Sequence, residues 1–133
     1  MTDGGRLVAI NHVELESPRG IENELLWFYG DLLGLDPKPA IAEGDTSVPS
    51  LLRFRSEPWE LRITLLDEPH VDPVACRAVF EISRLERAAE MLQERRYAFT
   101  WHHGLRGTDR SISVIDPGGH RVVIRQWWPW ALL

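Results

Sequence analysis

Hydrophobic and polar positions change period along the chain, and the changes repeat. Residues 7–15 (Leu7-Val8-Ala9-Ile10-Asn11-His12-Val13-Glu14-Leu15) are rich in apolar and β-branched side chains and run up to Ser17-Pro18, which predicts a strand. From Ile21 the apolar positions move to spacings of three and four, at Ile21, Leu25, Phe28 and Leu32. That spacing predicts an amphipathic helix of about three turns. Gly34 stands where a C-terminal helix cap belongs, with Pro37 shortly after. A loose stretch holding Pro37, Pro39, Gly44 and Pro49 follows, then two strands at 50–55 and 59–66, hinged at Glu57-Pro58.

The segment 67–73, Asp-Glu-Pro-His-Val-Asp-Pro, is polar and proline-bearing, and the order then starts again. Residues 74–82 predict a strand. Ser83 with Glu86 three residues on forms a capping-box pattern, and Leu85, Ala88, Ala89 and Leu92 make the apolar stripe of a helix running to about residue 96. Strands follow at 97–103, 110–115 and 120–127, the last two joined by the tight turn Asp116-Pro117-Gly118-Gly119. Each half thus reads strand, helix, then two or three strands, a weak internal repeat. A half this short buries little surface alone. Two such sheets sharing one core would carry a helix each on the outer face and leave a concave face for a small ligand.

With 133 residues and 44% apolar side chains, the chain fits one domain with a real core and excludes a disordered polymer. Apolar runs are too short to span a membrane, and residues 1–15 lack the pattern of a secretory signal. The single Cys76 has no internal disulfide partner, which points to a reducing, cytoplasmic compartment. A net charge of -5 argues against a nucleic-acid partner. Lys38 is the only lysine, so nearly all cations are guanidiniums, which hold carboxylates and phosphates bidentately.

Three segments carry a family resemblance: Ile10-Asn11-His12-Val13-Glu14-Leu15, Phe28-Tyr29-Gly30-Asp31-Leu32-Leu33-Gly34-Leu35, and Ser113-Val114-Ile115-Asp116-Pro117-Gly118-Gly119-His120-Arg121-Val122-Val123-Ile124. In this order and spacing the chain resembles the vicinal oxygen chelate superfamily, which includes glyoxalase I, the extradiol dioxygenases, and the bleomycin and fosfomycin resistance proteins. The resemblance implies an α+β fold, one glyoxalase-like domain over 1–133. Two tandem βαβββ modules, 7–66 and 74–127, would form a half-open barrel around a concave pocket. It also implies a metal site with one ligand from each of four strands. His12 matches the first position. Glu60 matches the second, from the alternation that turns Glu60, Arg62 and Thr64 to the pocket and Trp59, Leu61, Ile63 and Leu65 to the helices. The third position falls on Arg77 and the fourth on Val123.

Arginine has no lone pair to give a metal, and valine has no donor at all, whereas a catalytic site needs about three protein ligands. No resident cofactor is therefore expected; His12 and Glu60 are the residual ligand candidates, and a divalent metal is the alternative. The same alternation puts Glu14, Glu60, Arg62, Arg77, Glu81, Arg121 and Arg125 on the pocket side. Two readings of that set stay open: a charged network with arginines free to hold an anion, or charges at a solvated rim. His12 is either a general base or hydrogen-bond donor, or a vestige of a ligand position. His102 and His103 are adjacent, point to opposite faces and cannot chelate together. His120, beside the turn, is expected to be exposed. The apolar tail Trp127, Trp128, Pro129, Trp130, Leu132 and Leu133 should pack within its own domain or across a homodimer seam.

The functional expectation is a glyoxalase, bleomycin resistance or dioxygenase-like protein. It would have a small-molecule pocket and a degenerate metal site, acting by binding or by metal-independent chemistry. The alternative is a divalent-metal-dependent lyase, isomerase or dioxygenase.

Overall fold

The computed structural model describes residues 12–42, 49–57, 59–70, 72–73, 77–104 and 110–127. The first eleven residues, Pro58, Cys76, the side chain of His12 and the tail beyond Trp127 lie outside the described residues. Among those described, no helix is long and apolar enough to cross a membrane.

The first half runs β1 (His12–Pro18), α1 (Glu22–Leu25) continuing as a π-helix (Leu26–Leu32), β2 (Asp36–Ala42), β3 (Pro49–Ser56) and β4 (Trp59–Leu66). The second runs β5 (Arg77–Ile82), α2 (Leu85–Glu94), β6 (Phe99–His103), β7 (Arg110–Ile115) and β8 (Arg121–Gln126). The strands form two four-stranded sheets of the same topology, β1-β4-β3-β2 and β5-β8-β7-β6. In each, the first strand pairs parallel to the last, and the rest is an antiparallel meander. A parallel pair needs a long crossover, and the helix with the hairpin behind it supplies it. This is the α+β pairing of βαβββ units expected from the repeated periodicity.

Three local expectations are corrected. The stretch taken as a loose loop contains β2, where Pro37 and Pro39 fall within a strand. β2 is the edge of its sheet, where a missing N–H costs no ladder bond. The first helix is not α throughout: the Leu33 N–H donates to the Phe28 carbonyl five residues back, at 3.1 Å. The wider turn brings Phe28, Tyr29, Leu32 and Leu33 together into the interior. It ends at Gly34, whose φ of +77° suits a residue without Cβ. The Ser83 capping box does not form. α2 starts after Arg84 without a side-chain cap of its own. Instead Gln126 of β8 accepts the Leu85 N–H at 3.1 Å through Oε1 and donates to the Ser83 carbonyl at 2.8 Å through Nε2.

The convex faces of both sheets and both helices share one core. Leu15, Phe54, Leu61, Ile63 and Leu65 come from the first sheet, Phe80, Ile112, Val114, Val122 and Ile124 from the second, and Leu85, Ala88, Ala89 and Leu92 from α2. Tyr29 stands at the seam, with its ring tilted against both Phe54 and Phe80. Its hydroxyl donates to Oδ2 of buried Asp116. Asp116 also accepts the His120 backbone N–H at 2.8 Å and contacts His120 Nδ1 at 2.8 Å. His120 is 1% exposed, which corrects the expectation of a solvent-facing residue: the turn folds its ring inward to meet Asp116. Ser17 lies beside this cluster, and a Cβ on Gly118 would overlap its Oγ, so the close approach requires glycine there.

Burial, then the charge and hydrogen bond of Asp116, hold the Tyr29 phenol well above its ordinary value. Burial and the Asp116 charge push Tyr97 up to about 12. Unfolded phenols release their proton near pH ~10. Above that pH the unfolded chain binds fewer protons than the folded one, so stability falls as pH rises. Denaturant unfolding is expected to show alkaline loss beginning above about pH 10 and continuing through the folded Tyr97 value. Tyr29→Phe should lower stability at neutral pH by about 1.5–3 kcal/mol and flatten part of the alkaline slope. Separately, Gln126→Ala should cost about 1 kcal/mol, as loss of a helix cap does, while Ser83→Ala should leave the urea midpoint unchanged.

Candidate functional site

The two concave sheet faces carry the expected site residues, and they treat charge differently. On the first sheet Glu60 is 6% exposed. Its Oε2 accepts from Arg62 Nε at 3.1 Å, and its Oε1 lies 3.8 Å from Arg53 Nη1. Arg53 and Arg62 are cross-strand partners, and Glu14 on β1 stands opposite Arg62. On this face the arginines pair with Glu60. Arg53 was missed because its side depends on the β3–β4 register; once Glu60 faces the concave side, antiparallel pairing places Arg53 there too. His12 pairs in register with Glu60 across β1 and β4; its side chain is outside the described residues.

On the second sheet three rows cross β5 and β8. Arg77 pairs with Arg121, Val79 with Val123, and Glu81 with Arg125. Arg77, Val79, Glu81, Arg121 and Arg125 are exposed, whereas Ala78, Phe80 and Ile82 turn toward the core. The expected alternation of β5 and β8 therefore holds. A cavity of about 550 Å³ lies over the Arg77–Arg121 row and Val123, lined among others by Ser113, Thr100 and Ile115. Next to it His102 Nε2 meets the Ser113 hydroxyl at 2.7 Å. Thr100, His102 and Ser113 were not singled out for the site. Their polar alternation along β6 and β7 was the available signal. His103 instead stacks on Trp101.

The structure does not bring all the expected positions together. Ser17, near the end of β1, packs beside Gly118 in the turn leading to β8. Trp59, at the start of β4, shares a smaller cavity of about 410 Å³ with Glu81 and Ile82 at the end of β5. The first strands of the two modules thus run in opposite directions along the seam. Glu60 lies toward the end of β5, and Arg77 at its beginning. The large cavity contains Arg77, Arg121 and Val123 but not Glu14, Glu60, Arg62, Glu81 or Arg125.

The donor set does not fit a catalytic metal. Arg77 and Val123 cannot ligate one, and Glu60 is engaged by two guanidiniums. Among the described residues no three His, Cys, Asp or Glu side chains are grouped to hold an ion. What the cavity offers is two permanent cations, hydroxyls, and an apolar wall.

No protein-family model and no curated protein matches the chain. Solved structures do. Lactoylglutathione lyase from Agrobacterium tumefaciens is 15% identical, with a TM-score of 0.66 over 92% of this chain and 96% of that one. The fosfomycin resistance protein FosX from Listeria monocytogenes is 13% identical, with a TM-score of 0.71 over 96% and 100%. TnmS3, an antibiotic binding protein from Streptomyces sp. CB03234, is 21% identical, with a TM-score of 0.59 over 90% and 98%. At these identities the likeness is one of fold. The chain has the glyoxalase-like fold that its strand and turn motifs imply.

Proposed function

We propose that the protein binds a small molecule in the cavity over β5 and β8 without a resident metal, as a binding or metal-independent member of this fold class. The observation that carries this reading is the pairing of Arg77 and Val123 in one cavity. These are the two positions where the family resemblance expects ligands, and both lack the chemistry of a ligand. An antibiotic binding protein with the same fold supports simple binding as a sufficient role for such a scaffold. Elemental analysis of protein purified without chelator or affinity tag should find well under one metal equivalent. A stoichiometric metal that is lost in His12→Ala or Glu60→Gln would overturn the reading and restore metal-dependent lyase or dioxygenase chemistry.

A homodimer belongs to the same proposal. Val79 and Trp127, which line the smaller cavity together, are 42% and 46% exposed, an apolar surface that a second copy would cover. Light scattering of the full chain at micromolar concentrations should give twice the monomer mass. Removal of residues 127–133 should shift it toward the monomer. A monomeric full-length protein would refute the dimer, and a folded, dimeric truncation would free the tail of any part in the seam.

A further inference from the structure

The charge of the cavity departs from the charge of the chain. The protein carries a net charge of -5, yet among the described residues the cavity lining holds Arg77 and Arg121 and no carboxylate. The two arginines are register partners on neighbouring strands, which places their backbones about 4.8 Å apart. Among the described residues neither has an ion pair or a hydrogen bond, whereas Arg53 and Arg62 on the other sheet share Glu60. Like charges side by side repel, and the nearest acid on the same face of β5, Glu81, lies two rows away beside Arg125.

We infer that Arg77 and Arg121 form a clamp for one oxyanion, a carboxylate, phosphate or phosphonate, on a ligand whose remaining body is apolar. This rests on the cavity being the small-molecule site. Two guanidiniums present planar donor forks that fit such a group bidentately. Ser113 and Thr100, register partners on β7 and β6, add hydroxyls toward the edge of the sheet. Val123 and half-exposed Ile115 supply the surface for the apolar part. At the position where the resemblance expects a metal ligand, Arg77 brings a fixed positive charge of its own, one that needs no bound ion.

The test uses the full chain, isothermal titration at fixed ionic strength, and three probes of one size: benzoate, phenylphosphonate and neutral benzamide. Either anion, or both, should bind saturably at millimolar concentration, and benzamide should bind at least about tenfold more weakly. Which anion binds separates carboxylate from phosphonate chemistry. Arg77→Met and Arg121→Met should each weaken anion binding about tenfold or more. Arg84→Met, outside the cavity, should not, and circular dichroism should show all three folded. Benzamide binding as tightly as the anions, or anion binding that survives both cavity variants, would overturn the clamp. Val123→Trp, which fills the cavity, separates this from the wider reading. If it blocks benzamide, the cavity is a ligand site without an anion clamp. If no probe binds, or binding ignores Val123→Trp, the clamp and the cavity reading both fall.

Discussion

The two modules are joined by a buried carboxylate. Asp116 sits 3% exposed at the turn before β8, and it receives the Tyr29 hydroxyl from the opposite module and the backbone and ring of His120 from its own. A buried charge is costly without partners, so the turn, the π-helix and the second sheet must hold one arrangement. That arrangement sets where β8 begins. It therefore sets Arg121 beside Arg77 and Val123 one row on, all three lining the large cavity.

The shared core makes the same demand through shape. The π-helix turns Phe28, Tyr29, Leu32 and Leu33 onto the seam, and Tyr29 meets aromatic rings from both sheets. Each sheet then has one face fully committed to the interior. Every side chain on the alternate positions is left on a concave face, where polar groups keep access to water and to ligands. The two concave faces have similar strand order but different charge logic: the first offsets its arginines with Glu60, and the second leaves two of them together. The proposed ligand site accordingly lies on the second sheet's face.

Much of this was legible along the chain. The repeat of strand, helix and strands predicted the paired modules, because periods of two and 3.6 reflect which face each element buries. Face alternation also placed Arg77 and Arg121 on one side of the sheet, since β5 and β8 are regular over their whole length, and the resemblance put Val123 between Arg121 and Arg125. The local errors share a cause. Pro37 and Pro39 read as a loop, yet an edge strand accepts them. Ser83 read as a cap, yet a residue 43 positions later takes that role. His120 read as exposed, yet a carboxylate four residues before it draws it inside.

Sequence by itself determined the element order, the apolar faces and the chemical identity of the four expected ligand positions. An arginine and a valine cannot become ligands in any fold. Tertiary structure alone decided which side chains meet. It placed Glu60 toward the opposite end of β5 from Arg77, brought Arg53 to Glu60, and left Arg77 and Arg121 without an acid among the described residues. Those outcomes depend on strand register and on the direction of one module against the other, which are set by long-range packing and carry no signature in local spacing.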